Sequence, residues 1–400
     1  MKGECIVNYI VYSGELDIRK GGPAGYIANL QKGLNNIQED KIRIISKKNL
    51  GNVISGKSRF DFLRSIIGKS DFMVEMLSMK KFVHNRDSSI ANELNLIEFT
   101  ENDVVHVHSV LDYLILKKYN IRANVILTPH TPESISEELV EAAKFKFRNT
   151  RLTLEKYKRK IKLIEEMAFE ECDHFIFPSK ESMEIFSTFI EGFNKKMENK
   201  NIYFNLTSCD KLTYNLNKNE FKEQFNITED KFIISYVGRH NRIKGYDLFV
   251  EMAKKVYEID ENIIFIVGGT GEIESDSSNI IDIGWTNDPG SIINTSDIFV
   301  LPNRNTYFDL ILLEVLSIGT PVVASNTGGN KTVNSMTNGV ALFENGNVEE
   351  LVSIVLELKC KKDVLIQMKE DNLNCYQNNF TLNHFASRYN DILSKINEFN

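Results

Sequence analysis

Two basic side chains follow a strand-like run in the second half of the chain. The segment Tyr236–Asp247, YVGRHNRIKGYD, opens a loop at Gly238 and carries Arg239 and Lys244 just before a helix-like stretch. Ligands of open α/β sheets bind beyond the carboxyl ends of the strands, and cations beside a helix N-terminus suit a diphosphate. The pattern therefore predicts an anion site. The alternative is a solvated basic loop.

A carboxylate interrupts an apolar helix further along the chain, in the block Ile298–Lys331. The predicted helix Phe308–Ile318 holds Glu314 between two aliphatic residues. An isolated buried charge is very costly, so this carboxylate needs hydrogen-bond donors, and the two hydroxyls of a ribose are a suitable pair. The alternative is a glutamate on the exposed face of the helix. The pair Gly328-Gly329 after the next strand permits close approach of a ligand, although such a pair also forms simple turns.

Two further glycine-rich turns follow strands. Ile264–Gly271, IFIVGGTG, superficially resembles a dinucleotide fingerprint but lacks the full GxGxxG spacing, which makes it a weak indication of NAD binding. Lys20–Gly25, KGGPAG, precedes a helix, and Pro23 suits a first helical position. Backbone amides at that helix start would be able to meet a phosphate from the opposite domain. A surface loop is the alternative.

Three histidines lie near the ends of two predicted strands. His106 and His108 alternate along one strand and therefore point the same way. His130 directly follows the other strand, at the predicted edge of a cleft. The alternation admits a metal site, but no carboxylate or cysteine cluster accompanies it, and we expect no metal.

The elements that must position these residues alternate between short apolar runs and helix-like segments. Continuous apolar strands separated by helices indicate a parallel sheet covered on both faces. The series occurs twice, with the polar stretch Asn199–Asp230 between. We therefore predict an α/β protein with an N-terminal domain over 1–210, a second domain over 211–380, and a helix over 381–400 that returns to the first domain. The predicted strands are Cys5–Tyr12, Val104–Val107, Val125–Leu127, His174–Phe177, Phe232–Val237, Ile263–Val267, Ile298–Leu301 and Pro321–Ala324.

Composition narrows the functional class. The 400 residues are 42% hydrophobic and 26% charged, which is typical of a folded globular protein. The net charge of −7 argues against a nucleic-acid-binding protein. The five cysteines are scattered, as in a reduced protein of the cytoplasm. Neither a signal peptide nor a run of roughly 18–20 apolar residues is recognisable, so any membrane contact is expected to be peripheral.

The blocks together resemble the GT-B fold, and specifically the family-four retaining glycosyltransferases. The likeness covers nearly the whole chain. It is strongest from Ile234 to Gly329, where GRxxxxKG, the Gly-rich turn, the FxLxxLE helix, GTPVVAS and GG occur in family order. The resemblance implies two Rossmann-like domains facing a central cleft, with the donor nucleotide held mainly by the C-terminal domain.

The resemblance also implies residue roles. Arg239 and Lys244 would clamp the donor diphosphate, and Glu314 would hold the ribose as the second Glu of an E-x7-E motif. The backbone of the IGW segment would lie near the base, and His130 beside the transferred sugar. The catalytic residues implied are His130, Arg239 and Lys244. The donor-binding residues implied are Gly21, Gly22, Gly238, Gly268, Trp285, Thr286, Thr306, Asp309, Leu310 and Glu314.

Three positions depart from the family pattern. Thr306 stands where the family has its first motif Glu, which commonly contacts the donor sugar. Asp309 replaces the Gly of the usual FGL, and Thr332 stands where GGxxE would put a Glu. The expected ribose and phosphate contacts are therefore present, while the sugar contacts are altered.

The resemblance implies retaining transfer from a nucleotide diphosphate sugar to a sugar, lipid-linked or protein acceptor, without metal or cofactor. The expected pathway is the synthesis of bacterial surface polysaccharide or glycoconjugate. The first alternative is a non-catalytic GT-B protein that binds or stabilises a partner transferase, which Thr306 favours. A sugar-nucleotide epimerase and a Rossmann dehydrogenase are the others.

A basic segment stands out in this acidic chain. Residues 144–162 contain nine Lys or Arg and one Glu in nineteen positions, interleaved with apolar side chains. Such a segment is able to bind an anionic membrane at the inner face, with each basic residue contributing about 1 kcal/mol near the surface. A solvated helix face is the alternative.

Overall fold

The chain is described by a computed structural model. The structure describes residues 7–17, 22–47, 66–84, 90–147, 149–275 and 277–398. It groups the chain into two units. Unit 1 comprises Met1–Phe177, Ile185–Asn205 and Ala386–Asn400, and unit 2 comprises Pro178–Glu184 and Leu206–Phe385. Neither unit is therefore a single continuous stretch of sequence.

Unit 1 is built on a parallel sheet of six strands. Their spatial order is β2-β1-β3-β4-β5-β6. The central strands are almost wholly buried, as expected of a parallel sheet with helices on both faces. The strands are β1 Asn8–Glu15, β2 Ile42–Lys47, β3 Val104–Val107, β4 Asn124–Leu127, β5 His174–Phe177 and β6 Asn201–Phe204.

Helices follow the strands of unit 1 in sequence. The serine Ser109 caps the helix after β3 by accepting the amide of Asp112. The helices in this part of the chain are α1 Gly22–Asn36, α2 Asp71–His84, α3 Ala91–Leu94, α4 Val110–Lys118, α5 Ile135–Lys146, α6 Glu155–Glu171, α7 Lys180–Glu184 and α8 Phe193–Met197, with a 3-10 turn at Ile185–Thr188. Of these, α7 lies in a segment that belongs to unit 2.

Unit 2 also has a parallel six-stranded sheet, with the order β12-β11-β10-β7-β8-β9. This is the strand order of dinucleotide-binding α/β folds, and the order reverses between β7 and β10. The carboxyl ends of these two strands therefore mark the expected crevice. The strands are β7 Phe232–Val237, β8 Ile263–Gly268, β9 Ile280–Asp282, β10 Ile298–Leu301, β11 Val322–Ser325 and β12 Val340–Phe343.

Two hydrophobic clusters sandwich the sheet of unit 2. Alternate residues of β10 enter opposite clusters: Ile298 and Val300 join the cluster around Phe249, whereas Phe299 and Leu301 join the cluster of the other face. The helices in this part of the chain are α9 Lys218–Gln224, α10 Tyr246–Ile259, α11 Pro289–Thr295, α12 Leu310–Ile318, α13 Gly328–Asn334, α14 Val348–Lys359, α15 Lys362–Asn379 and α16 Leu382–Glu398.

Each of the eight predicted strands has a counterpart in the structure, although Cys5 and Ile6 of the first one lie outside the described residues. Among the described residues, the four strands that the apolar runs did not predict are the edge strands of the two sheets: β2, β6, β9 and β12. Two helix predictions need correction. The predicted helix Phe308–Ile318 begins at Leu310, with Asp309 as N-cap. The helix-like segment after Leu365 is two helices, because the helical conformation is interrupted at Phe380 and Thr381. The Thr381 hydroxyl accepts the backbone amide of His384 at 3.5 Å, in the first turn of the second of these helices.

The last helix, α16, starts in unit 2 and ends in unit 1, with Ala386 as the first residue of the unit 1 portion. Within unit 1, Arg388 Nε donates to Asn205 Oδ1 at 3.1 Å, and Asn390 Nδ2 donates to Glu39 Oε2 at 3.0 Å. Among the helices that the structure describes, none is both long and apolar enough to cross a membrane.

Candidate functional site

Glycines bring two turns of unit 2 into backbone contact at the carboxyl ends of β7 and β8. The amide of Gly238 donates to the carbonyl of Gly268 at 2.9 Å. Gly269 has φ +131°, and a Cβ there would lie 1.9 Å from the Gly238 carbonyl oxygen. These turns approach closely because neither carries a side chain at the contact. The predicted residues Gly238 and Gly268 are therefore neighbours.

The loop that carries Lys244 packs against the loop after β10. Gly245 has φ +66°, and a Cβ on it would lie 1.8 Å from the carbonyl oxygen of Pro302. Asn241 Oδ1 accepts the backbone amide of Lys244 at 2.9 Å. The position of Lys244 at the switch point of the sheet thus depends on a glycine that no other residue type can replace without displacing the backbone.

Lys244 is paired with Asp309, the residue that precedes α12. Its ammonium lies 2.9 Å from Oδ1 and 3.0 Å from Oδ2 of that carboxylate. The amide nitrogen of Asn303 donates to the same Oδ2. Asp309 occupies the N-cap position of α12 but makes no side-chain capping bond. Two predicted site residues therefore touch, in an arrangement that their sequence separation of 65 residues did not reveal.

Arg239 is exposed, and its carbonyl accepts the phenol of Tyr236 at 2.7 Å. Within the part of the chain that the structure describes, its guanidinium has no carboxylate partner. A fixed backbone with an unpaired cation is a suitable combination for an external anion.

A bidentate ion pair holds the same two loops together. Arg304 Nη1 lies 2.6 Å from Asp247 Oδ1, and Nη2 lies 2.8 Å from Oδ2. Nη1 also donates to the Arg242 carbonyl at 2.7 Å. Sequence reasoning missed this pair, because only the fold brings the two loops together.

Glu314 lies in the second turn of α12, five residues after Asp309, or about 7–8 Å along the helix. Burial raises the pKa of its carboxyl group. In the described part of the chain this carboxylate has neither a hydrogen-bond donor nor a cation. A carboxylate that is mostly withdrawn from water and unpaired is costly, and a ligand with two hydroxyls would satisfy it.

The loop between β10 and α12 is pinned by residues from both sides. The carbonyl of Tyr307 accepts the Ser182 hydroxyl at 2.7 Å and the Gly329 amide at 3.0 Å. Next to it, Thr306 is 1% exposed, and its hydroxyl has no hydrogen-bond partner in the described residues. Leu310, in the first turn of α12, is half-buried. Thr306 therefore presents a buried, unsatisfied polar atom where the resembled family has a carboxylate.

Thr332 is buried as well, and a carboxylate from elsewhere in the sequence reaches it. Its hydroxyl lies 2.8 Å from Glu181 Oε2 and 2.7 Å from the Ser179 hydroxyl. Glu181 belongs to α7, the short helix that unit 2 takes from the preceding part of the chain.

The segment proposed to lie near a base is at the end of β9. Trp285 is 69% exposed, which leaves an aromatic face available for stacking. Thr286 Oγ1 accepts the amide of Asp288 at 2.9 Å, and its methyl group lies 3.5 Å from where a Cβ on Gly268 would be. The structure therefore places Thr286 beside the glycine turn.

The predicted residues of unit 1 form a histidine cluster. His108 Nδ1 lies 3.0 Å from His130 Nε2, while the two ring nitrogens of His106 contact Tyr389 Oη at 2.9 Å and Thr128 Oγ1 at 2.8 Å. Burial lowers the pKa of His106 and of His130 to about 3, and that of His108 well below its ordinary value. The rings are therefore neutral at pH 7. Three of the four ring nitrogens of His106 and His108 form hydrogen bonds with other side chains.

Among the described residues, no group of three or more His, Cys, Asp and Glu is arranged to hold a metal ion. At the other predicted site in unit 1, Gly22 has φ +52° and begins α1. Gly21 lies outside the described residues.

The basic segment 144–162 forms the end of α5, a turn and the start of α6. Its apolar residues do not share one surface. Phe147, Leu152, Leu154 and Tyr157 are buried in a cluster with Val74 of α2, and only Phe145, at 83%, is strongly exposed. Lys158 pairs with Glu137 at 2.5 Å and Lys144 with Glu141 at 2.9 Å.

Comparison with known proteins agrees with this geometry. Residues 231–360, which contain β7 to β12, match the family model described as "Glycosyl transferases group 1". A UDP-Gal:alpha-D-GlcNAc-diphosphoundecaprenol alpha-1,3-galactosyltransferase of Escherichia coli is 28% identical over 193 residues, which cover 44% of this chain and 49% of that protein. The capsular polysaccharide biosynthesis glycosyltransferase CapM of Staphylococcus aureus is 23% identical over 214 residues, 46% of this chain and 56% of CapM. The chain thus spans about half the length of the curated relatives it matches.

Solved structures show the fold over a longer range. Sucrose-phosphate synthase from Thermosynechococcus elongatus is 14% identical, with a TM-score of 0.68 over 99% of this chain and 100% of that chain. Anabaena Alr3699/HepE in complex with UDP is 11% identical, with a TM-score of 0.61 over 98% of this chain and 100% of that chain. The likeness to GT-B glycosyltransferases is therefore confirmed, for the fold over nearly the whole chain and for the group 1 family over residues 231–360.

Proposed function

We propose that this protein is a retaining glycosyltransferase that binds a nucleotide diphosphate sugar in unit 2. The observation that carries the proposal is a combination of charges at the switch point of the sheet. Lys244 and the unpaired Arg239 offer positive charge at the carboxyl end of β7. Glu314, unpaired and mostly withdrawn from water, offers two acceptors on α12. A diphosphate linked to a pentose has the matching anion and hydroxyl groups.

The chemistry requires the bond between the anomeric carbon and a phosphate oxygen to break. Negative charge then develops on the leaving diphosphate, and preorganised cations stabilise it. The acceptor oxygen bonds to the anomeric carbon on the same face, and the departing diphosphate receives the acceptor's proton. Arg239 and Lys244 are the residues to which we assign stabilisation of the leaving group. We assign His130 to the side of the transferred sugar, where its neutral ring acts as a hydrogen-bonding group rather than as a cation.

The relatives suggest what the donor and acceptor are. The name of the Escherichia coli relative specifies a UDP-sugar donor and a sugar diphosphoundecaprenol acceptor. By analogy we propose a UDP-sugar as donor and a lipid-linked sugar as acceptor, within the synthesis of a bacterial surface polysaccharide. The altered positions Thr306 and Asp309 lead us to expect a sugar preference that differs from that of relatives with the usual glutamate and glycine.

The test is release of nucleotide diphosphate from a panel of nucleotide sugars, with and without acceptor. Lys244→Ala should lower turnover by about 10²–10³-fold, as for loss of one preorganised charge at an enzyme site. Lys255→Ala is the matched control, because Lys255 is a half-exposed lysine of α10 that pairs with Glu349 at 2.5 Å. Turnover that is equal in the two variants would remove Lys244 from the mechanism.

A non-catalytic GT-B protein that binds a partner transferase is the second candidate, and Thr306 is the observation that favours it. The same panel separates the two. Thermal stabilisation by UDP-sugars without any release of UDP, in the presence of lipid-linked acceptors, would favour the binding protein.

Contact with an anionic membrane through 144–162, at the inner face, also remains a proposal. Because five of the six apolar side chains in this segment are buried, we expect the contact to be mainly electrostatic. Binding to phosphatidylglycerol vesicles should therefore fall steeply between about 50 and 500 mM salt. The Debye length shortens over this range, so that salt screens the attraction between the basic side chains and the lipid headgroups. Retention at high salt, or equal binding to neutral vesicles, would contradict an electrostatic contact.

A further inference from the structure

The carboxylate of Asp309 forms an ion pair with Lys244, the lysine on which the proposed diphosphate site depends. Both of its oxygens lie within 3.0 Å of the Lys244 ammonium, and Asn303 donates to the same group. The side chains of Lys244 and Asp309 are only 26% and 17% exposed. Because water screens such a pair incompletely, its charges act strongly on any ligand that enters.

The position of Asp309 makes this pairing noteworthy. An aspartate at an N-cap ordinarily accepts a backbone amide of the first helical turn. Asp309 makes no such bond, and α12 has no acidic residue in its first turn. The negative charge is therefore directed to Lys244 instead of to the helix that follows it.

An ammonium has three hydrogens, and two of them face the oxygens of Asp309 in this geometry. A phosphate that binds Lys244 must share the lysine with the carboxylate, and the two anions repel each other. The repulsion grows with the charge of the phosphate. A terminal phosphate esterified to a sugar carries one negative charge, whereas the free terminal phosphate of a nucleoside diphosphate carries nearly two at pH 7.5, since its second pKa is about 6.

We infer that Asp309 is a specificity-determining residue that weakens binding of the nucleoside diphosphate product more than binding of the nucleotide sugar. The inference rests on the proposed function, because it places the diphosphate at Lys244. Its consequence is that the product leaves the site once the sugar has been transferred, although both ligands share the base, the ribose and the cations.

The test compares the dissociation constants of UDP, UDP-galactose and UMP, measured by calorimetry without acceptor, for wild type and Asp309→Asn. The variant should bind UDP about tenfold more tightly than wild type does, and UDP-galactose at most about threefold more tightly. The reason is that the substitution removes the negative charge of Asp309, which repels the more highly charged UDP more strongly. UMP lacks the terminal phosphate and should change least. Inhibition by UDP in the steady state should strengthen in parallel.

Glu349→Gln is the matched control, since it also removes one carboxylate from an ion pair of unit 2, with Lys255. It should leave all three constants unchanged. Asp309→Ser, which keeps a capping side chain, replaces the asparagine variant if that variant does not fold. Weaker or unchanged UDP binding by a folded Asp309 variant, or equal tightening of UDP and UDP-galactose, would overturn the inference. If wild type binds neither UDP nor UDP-galactose, the proposed function itself fails.

Discussion

His108 Nδ1 and His130 Nε2 lie 3.0 Å apart in unit 1, so one ring donates its proton to the other. The two rings are stacked at 21° with centroids 5.3 Å apart, and the ring of His106 lies 4.0 Å from that of His108. A hydrogen bond of this kind requires at least one neutral imidazole as the acceptor, and the lowered pKa values of all three histidines agree with that. His108 thereby fixes the orientation of His130, the residue assigned to the transferred sugar.

The cluster predicts a dependence of stability on pH. The folded-state pKa of each histidine lies below its unfolded value of about 6.5, so the unfolded chain binds more protons below that pH. Stability is therefore fully present above pH 6.5 and falls as the pH drops towards about 3, by up to about 1.4 kcal/mol per pH unit for each histidine. Urea unfolding at pH 7.5, 6.5 and 5.5 measures the slope.

His108→Asn should make that slope shallower, because one buried titrating ring is removed. His384→Asn is the control, since His384 is an exposed histidine of α16, bonded to Thr381 at 2.8 Å. A slope that is identical in wild type and in the His108 variant would show that the cluster is not the source of the acid sensitivity.

Glu314→Gln should separate binding from stability. Loss of the carboxylate weakens UDP binding by at least about tenfold, because a charged acceptor of two hydroxyls is removed. The free energy of unfolding at pH 7 should stay the same or rise by about 1 kcal/mol, because a neutral amide costs less to bury than an unpaired carboxylate. Since burial raises the pKa of Glu314, ionisation destabilises the fold as the pH rises through that pKa, so the gain should shrink near pH 4.

Calorimetric UDP titration and urea unfolding give the two quantities on the same sample. Glu349→Gln should change neither the affinity for UDP nor the pH dependence of stability. A Glu314→Gln protein that binds UDP as tightly as wild type would contradict the assignment of Glu314 to the ribose.

Gly245 belongs to the turn that carries Lys244, and Gly346 is a suitable control position for its substitution. Both have positive φ, +66° and +86°, but only Gly245 has backbone at 1.8 Å from a built Cβ. Alanine at Gly346 should cost about 1 kcal/mol, the strain of a left-handed residue. Alanine at Gly245 should cost at least about 3 kcal/mol, since Pro302 must move as well. Equal losses in thermal unfolding would contradict the close packing of these loops.

Thr306→Val tests the buried hydroxyl that replaces a motif glutamate. Because that hydroxyl has no partner, its removal should leave the free energy of unfolding unchanged or raise it by about 0.5–1 kcal/mol. Thr295→Val is the control: Thr295 is also fully buried, but its hydroxyl donates to the Ser291 carbonyl at 2.8 Å, so we expect a loss of about 1 kcal/mol. If Thr306 contacts the donor sugar, kcat/KM should fall by about tenfold in a variant of normal stability.

The apolar pattern predicted the interior of both sheets and missed their borders. The strand β10, IFVL, is buried at every position, and its sequence is correspondingly apolar at every position. The edge strands are covered less completely: β6, NIYF, has two exposed ends, and β9, IID, has no buried residue. Because an edge strand does not need a continuous apolar sequence, β2, β6 and β9 carried no comparable signal. The edge strand β12, VALF, is apolar throughout and was missed in spite of that run.

The site was predictable where a single segment carries the information. Glu314 is conspicuous because its neighbours along α12 are aliphatic, and Gly238 and Lys244 follow a recognisable strand. The pairing of Lys244 with Asp309, and that of Arg304 with Asp247, join loops that are 57–65 residues apart. No spacing rule connects such residues, because only the parallel order of β7 and β10 brings their loops together.

The interrupted composition of the two units limits how this chain can be divided. A cut after Asn205 would separate Ser182, and its hydrogen bond to the Tyr307 carbonyl, from the rest of unit 2. The same cut would deprive the histidine cluster of Tyr389. Expression of unit 1 alone therefore requires two internal junctions, and expression of unit 2 alone requires one. Exchange of one unit for that of a relative requires four crossover points along the chain instead of one. Recombination that respects only linear order would produce chimaeras in which the loop between β10 and α12 lacks the hydrogen bond from Ser182.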